Sequence, residues 1–332
     1  LKPRFIQQNA DAVERLAAAT RDGPAMLVGF VNRRDSHVGR NLHNACALLQ
    51  DGRIVAEVHK SLLPTYDVFD EHRYFEPAQR AGVVELKVSG KSIRTGVTIC
   101  EDLWNDKGVM GRQLYHDNPI DELKKSGVEL IVNISASPFV VEKQAFRERL
   151  LGAQAAAAKT PIVYVNQVGG DDELIFDGAS SVFDQAGNVA ARAKAFEEDL
   201  LVVNLADLAS ARIEPYPDRL ESVWRAMVLG TRDYVQKCGF KHVVLGLSGG
   251  IDSALTACIA VDALGPASVH GVAMPSRYSS DHSLIDARSV AANLGIDLKI
   301  IPIESVHAAF ETGLAPHCEG RRADVTEEIV QA

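Results

Sequence analysis

After residue 218 the chain repeats one pattern: an apolar run of strand length, then a helical run long enough to cross back over a sheet. The strand candidates are His242 to Leu247, Ser268 to Ala273 and Leu298 to Ile303. Helices Asp252 to Leu264 and Asp281 to Leu294 separate them, and a helix Leu220 to Lys237 precedes them. Strands joined by crossovers of this length pair in parallel, so the pattern predicts an α/β unit built on a parallel sheet.

Upstream the rhythm is less regular but still mixes the two element types. Ala25 to Phe30, Asn44 to Leu49, Gly96 to Ile99, Leu130 to Ile134 and Pro161 to Asn166 read as strands. Ala10 to Thr20, Pro119 to Ser126 and the alanine-rich run Phe146 to Lys159 read as helices. The segment DQAGN, Asp184 to Asn188, is a hairpin turn signal. Pro215 and Pro217 disfavour regular structure in EPYPD, which places a linker there. The expected organisation is therefore a layered α/β domain over residues 1–208, a linker over 209–220, and the parallel-sheet domain over 221–332.

The chain's 332 residues, 46% of them hydrophobic, suffice to bury the cores of two domains. A formal net charge of −9 argues against a nucleic-acid partner. No apolar run is long enough to span a membrane and no signal-peptide pattern is present, so the cytoplasm is the expected compartment. The five cysteines are spread without a CxxC pair, which favours reduced thiols, and the histidines lack metal-ligand spacing. Both ends read as incomplete: Leu1 is not an initiator methionine, and VTEEIVQA stops inside a helical-looking run.

Two stretches carry chemistry. In LGLSGGIDSA, an apolar strand runs into Ser248, Gly249 and Gly250, and a helix restarts at once. Glycines let the backbone approach an anion closely, and the helix adds its positive end. The lysine of GxxxxGK[ST] is absent, and GxGxxG is not matched. A carboxylate at Asp252 would repel a phosphate unless a cation lay between them, which points to a nucleotide with Mg²⁺ and makes Asp252 the candidate metal ligand. The candidate ATP-binding residues are Gly246, Leu247, Ser248, Gly249, Gly250, Ile251, Asp252 and Ser253.

The second stretch is VTICEDLW, where an apolar run delivers Cys100 to a strand end forty positions after Lys60. A lone cysteine there is ordinarily a small core residue, and a lone lysine a solvated charge. Placed together, the cation is expected to depress the thiol pKa and favour a thiolate nucleophile.

LSGGIDSA resembles the pyrophosphate loop of the ATP pyrophosphatases, and MPSRYSS, residues 274–280, resembles the NAD synthetase branch of that family. The combination HKSLLPTYDVFDEHRYF, ICEDLW and NISASPF resembles the nitrilase-type glutaminase domain fused to bacterial glutamine-dependent NAD synthetases. The two resemblances cover essentially the whole chain. They imply a nitrilase-like α-β-β-α sandwich followed by a Rossmann-like ATP-pyrophosphatase domain. The implied activity is that of an ATP-dependent carbon–nitrogen ligase, which amidates deamido-NAD with ammonia from L-glutamine in a homo-oligomeric enzyme.

By the same resemblance Cys100 is the nucleophile, and Lys60 stabilises the oxyanion together with the backbone N–H of Glu101. Glu71 is a supporting acid beside the lysine. Tyr66, Glu101, Ser137 and Lys143 are the implied glutamine-binding residues. The family's general-base glutamate lies upstream of the lysine and has no match here; Glu14, on a helix with no suitable strand before it, is not assigned to that role. Thr326 and Glu327 fall in a segment of the synthetase resemblance without an assigned role. GMP synthetases are disfavoured, since their Cys-His-Glu glutaminase has no counterpart in this sequence. A plain amidase with a regulatory second domain, and a catalytically silent two-domain scaffold or ligand-binding fragment, are the other readings.

Overall fold

The computed structural model describes residues 2–34, 38–88 and 90–317. Contacts divide the chain into Leu1–Gly169 with Phe176–Arg219, and Gly170–Ile175 with Leu220–Ala332.

The first unit opens with α1 (Pro3–Ala19), β1 (Met26–Arg33), β2 (Leu42–Gln50) and β3 (Arg53–His59). It continues through β4 (Gly82–Val88), β5 (Lys91–Ile99), α2 (Lys107–Met110), α3 (Pro119–Lys125), β6 (Leu130–Ser135), α4 (Lys143–Ala158) and β7 (Ile162–Asn166). A two-stranded ribbon, β8 (Val168–Asp171) and β9 (Leu174–Asp177), is followed by β10 (Ser181–Phe183) and β11 (Val189–Arg192).

Strands β1, β2 and β3 form an antiparallel sheet, and a six-stranded sheet has the order β11-β10-β7-β6-β5-β4. Within the larger sheet β5, β6 and β7 are parallel, and the strands outside them pair antiparallel. The two-residue period of β2 explains the layering. Cys46 and Leu48 join Val58, Val84, Val97 and Ile99 in the core between the sheets, while Ala47 and Leu49 pack on Val13 and Ala17 of α1. On the far face of the larger sheet, Leu123, Leu150 and Leu151 cluster with Ile131, Ile162 and Phe183. Each fully buried leucine or isoleucine there contributes about 1.5–3 kcal/mol. The order helix, sheet, sheet, helix is the expected α-β-β-α sandwich.

Helix α5 (Arg219–Lys237) leads into the second unit, followed by β12 (Val243–Gly246), α6 (Ile251–Leu264), β13 (Val269–Ala273), α7 (Asp281–Leu294), β14 (Asp297–Ile300) and α8 (Glu304–Leu314). Among the described residues, β12, β13 and β14 form a parallel sheet in that order. Ala257 and Ala260 of α6 meet Ala287 and Ala291 of α7 in one cluster with Leu247, Val269 and Ile296, small residues that let the helices approach closely.

Several boundaries differ from expectation for local reasons. Helix α1 begins at Pro3 rather than Ala10, because proline is well suited to a first helical position. Strand β14 stops at Ile300, before Pro302, which lacks the N–H a ladder needs. Strand β4 was not expected; only its Val84 is buried, so its apolar signal is weak. The DQAGN turn does join β10 to β11, with Asp184 Oδ1 accepting from the N–H groups of Ala186 and Asn188. Gly187 in this turn has φ 89°, and a Cβ there would lie 2.4 Å from the carbonyl oxygen of Gly152, so only glycine lets the turn approach α4.

Among the described residues, no helix is long and apolar enough to cross a membrane, and no group of three His, Cys, Asp or Glu side chains could hold a metal ion. Cys318, Thr326, Glu327 and the VTEEIVQA run lie outside the described residues.

Candidate active sites

Strand β5 ends at Ile99, and the next residue, Cys100, sits in the left-handed region at φ 45°. A non-glycine residue there is strained by about 1–3 kcal/mol, and such strain persists only where neighbouring contacts hold it. Here Asp102 is the main fastener. One of its oxygens accepts from the backbone N–H groups of Ser61 and Leu62 at 3.0 and 2.8 Å, and the other accepts from Ile99 at 3.0 Å. A single buried carboxylate thus ties the segment after Lys60 to the elbow that carries Cys100. Burial pushes the Asp102 carboxyl up to about 6, against the pull of these N–H donors and of Lys60. Asn133 adds a further tie, its Nδ2 donating to the carbonyl of Cys100 at 3.4 Å.

Lys60 is almost wholly buried, and its ammonium donates to Glu71 Oε1 at 2.6 Å. The other Glu71 oxygen accepts from Asn44 Nδ2 at 3.1 Å. Burial opposes the charge on Lys60, but the neighbouring Cys100 and the Glu71 carboxylate together raise its pKa. Burial also dominates at Cys100, and it raises the thiol pKa despite the lowering effects of Lys60 and Ser135. The expectation of a depressed thiol pKa is therefore corrected: at this partly buried position one cation does not offset the desolvation of a thiolate.

Cys100 opens on a cleft of about 440 Å³ whose walls include Tyr66, Glu101, Ser137 and Lys143, so every expected glutamine-binding residue meets the thiol in one place. Lys60 and Glu71 are not part of the cleft wall. Glu101 is buried, and its Oε1 accepts from Tyr66 Oη at 2.7 Å and Tyr115 Oη at 3.0 Å. Burial raises the Glu101 pKa, and it raises those of both tyrosines as well. Lys143 stands at the start of α4, with its ammonium 5.2 Å from the Trp104 ring centre and donating to the Pro138 carbonyl at 3.1 Å. Burial and the neighbouring Arg147 charge lower its pKa. Glu14 is exposed on α1, remote in the layer order from Cys100.

Sequence reasoning missed Asp102, Tyr115 and Trp104. Asp102 and Trp104 lie inside ICEDLW, where a polar residue just after a strand end could have been questioned. Tyr115 carried no comparable signal.

In the second unit, β12 ends at Gly246 and α6 begins at Ile251. The intervening loop is pinned by serines: Ser253 Oγ donates to the Gly250 carbonyl at 3.0 Å, and Gly250 N–H donates to Ser248 Oγ at 3.2 Å. Gly249 has φ 84°, and a Cβ there would lie 2.3 Å from the Ser283 carbonyl oxygen, so the approach of the loop to α7 requires glycine. Gly246, Leu247 and Ser248 line a cleft of about 500 Å³ together with Met274, Tyr278 and Ser280, uniting the two sequence motifs. Gly249, Gly250, Ile251, Asp252 and Ser253 are not among its lining residues.

Asp252 stands exposed in the first turn of α6. The loop and helix start suit a phosphate chain. A lone carboxylate suits a Mg²⁺ ion that completes its shell with phosphate oxygens and water, rather than one held by protein ligands alone.

Residues 7–218 match the carbon–nitrogen hydrolase family, and residues 223–332 match the NAD synthase family. A glutamine-dependent NAD(+) synthetase of Synechocystis sp. is 42% identical over all of this chain, which spans 60% of that relative. The enzyme of the same name from Thermotoga maritima is 38% identical over all of this chain, which spans 61% of it. The solved glutamine-dependent NAD+ synthetase of Acinetobacter baumannii, in complex with adenosine diphosphate, superposes with a TM-score of 0.83 at 36% identity. That match covers 98% of this chain and 59% of the other. The chain belongs to the carbon–nitrogen hydrolase family, and it continues into a segment that matches the NAD synthase family.

Proposed function

We propose that this protein is a glutamine-dependent NAD synthetase, an ATP-dependent carbon–nitrogen ligase with glutamine as nitrogen donor. The observation that carries the proposal is a strained thiol at a cleft, with a buried Lys60 paired to Glu71, in the same chain as a glycine loop facing MPSRYSS. The names of the relatives support the same reading. In this reading residues 1–208 are the glutaminase, 209–220 the linker and 221–332 the synthetase segment.

Cys100 Sγ attacks the glutamine carboxamide carbon, the carbon–nitrogen bond breaks, and ammonia leaves. Water then cleaves the thioester to give glutamate. Lys60, held by Glu71, and the Glu101 N–H face the tetrahedral oxyanion. The thiol proton passes to a base as the carbon–sulfur bond forms, and from there to the departing nitrogen, which leaves as ammonia. Tyr66, Glu101, Ser137 and Lys143 hold the substrate in the cleft.

At the other site, a carboxylate oxygen of deamido-NAD attacks the α-phosphorus of ATP and pyrophosphate leaves. Ammonia displaces AMP from the resulting anhydride and yields NAD. The Gly246 to Ser253 segment binds the phosphates, and Mg²⁺ near Asp252 supplies charge neutralisation when bound.

The synthetase assignment predicts that Asp252→Ala lowers NAD formation about tenfold or more with either glutamine or ammonia as nitrogen source. Glutamate release should stay within about threefold, because the two reactions use separate residues. Coupled assays for NAD and glutamate check this. Loss of glutamine-supported synthesis alone would remove Asp252 from the nucleotide site.

A further inference from the structure

Behind the thiol cleft a buried polar chain starts at the backbone of Ser137, and the reaction above does not use its other members. The N–H of Ser137 donates to Asn166 Oδ1 at 2.9 Å, and Asn166 Nδ2 donates to Asp177 Oδ1 at 3.2 Å. The other oxygen of Asp177 accepts from Tyr216 Oη at 2.9 Å. Arg147, one helical turn after Lys143, neutralises Asp177 by donating from Nη2 to both of its oxygens at 2.9 and 2.7 Å. Ser137, Asn166, Asp177 and Arg147 are all buried.

Flipped, the Asn166 amide would set its oxygen against the Asp177 carboxylate, so it has one useful orientation. Its NH₂ is committed to Asp177 and to the Gly178 carbonyl at 3.1 Å, which turns its oxygen toward Ser137.

A second, apolar route joins the same end points. The Tyr216 ring lies 6.2 Å from that of Phe196, and Phe196 meets Phe139 edge-on at 5.3 Å, two residues after Ser137. Phe196 is itself held at φ 62° while its N–H donates to the Asp177 carbonyl at 2.9 Å. Tyr216 lies in the EPYPD segment, close to Arg219, the last residue of the first unit.

We propose that Tyr216 is a positioning residue for glutamine: its hydroxyl fixes Asp177 and Asn166, and through them the place of Ser137 in the cleft. The proposal rests on the reading of that cleft as the glutamine site. Tyr216 touches no substrate, and its effect is on affinity rather than on the thiol.

The test is alkylation of the protein by iodoacetamide, resolved at Cys100 by mass spectrometry, with L-glutamine as protectant. Tyr216→Phe keeps the aromatic route and removes the hydroxyl. It should raise the half-protecting glutamine concentration about three- to tenfold, the scale of one ordinary hydrogen bond, because the hydroxyl acts on Ser137 only through Asp177 and Asn166. The alkylation rate without glutamine should stay within about twofold, since the Cys100 elbow is fastened by Asp102 instead. Ser137→Ala should also weaken protection. The double variant should be no weaker than Ser137→Ala alone, because no serine hydroxyl remains to be misplaced.

An unchanged half-protecting concentration in Tyr216→Phe overturns the inference and leaves the glutamine reading intact. So do multiplying effects in the double variant, which would make Tyr216 merely structural. Absence of any protection in the unaltered protein defeats the glutamine reading and the inference with it.

Discussion

Cys100→Ala should cut glutamine-supported NAD synthesis by about a thousandfold or more, the scale of removing a covalent nucleophile. Ammonia-supported synthesis should stay within about twofold, because the substitution alters no residue of the synthetase segment. The asymmetry follows from the local geometry. Cys100 is the side chain that the β5 end, the left-handed turn and the Asp102 ties jointly present to the cleft. Ordinary core packing would require none of these devices. Cys46 provides the internal contrast: it is buried between the sheets, its thiol is pushed up to about 12, and it lines neither of the two clefts described above. The same assay on Cys46→Ala should report only a modest effect through stability. Retained glutamine use in Cys100→Ala would remove the nucleophile from the account.

Asp177→Ala should destabilise the first unit by about 3–5 kcal/mol, measured by urea unfolding, because it strands the Arg147 charge in the interior. Arg147 and Asp177 are 1% and 0% exposed, so water cannot replace the lost partner. A further cost comes from Asn166 and Tyr216, each of which loses an acceptor. Against a typical domain stability of about 5–15 kcal/mol, this is a large share. The double change Arg147→Met with Asp177→Leu should recover most of the loss, since no unpaired charge then remains. A loss below about 1 kcal/mol in Asp177→Ala would mean that the pair is not the anchor its geometry indicates.

The parts legible in the sequence were those set by local pattern. Helix crossovers between short apolar strands forced a parallel sheet, and the run VTI delivered Cys100 to a strand end. The parts that were not legible depend on pairings distant in sequence. Asp102 is an ordinary acid until the chain folds and its oxygens reach Ser61 and Leu62, some forty residues upstream. Arg147 and Asp177 lie on a helix and at the end of a ribbon strand, thirty residues apart, and nothing local marks them as a pair.

The direction of the Cys100 shift failed for a different reason. Proximity of a lysine could be inferred from motif spacing, but the depth of burial could not, and burial is the larger influence. Glu101 shows the same limit: its backbone N–H was the expected contribution, while the structure also commits its carboxylate to Tyr66 and Tyr115.

The central claim is that nitrogen released at Cys100 ends in the product formed at the glycine loop. Its most direct test supplies the protein with ATP, Mg²⁺, deamido-NAD and glutamine labelled with ¹⁵N only at the amide, with no other nitrogen source. Mass spectrometry should find NAD carrying one ¹⁵N in its carboxamide, formed in step with glutamate and AMP. Glutamate accumulating without labelled NAD, or NAD formed without the label, would contradict the account.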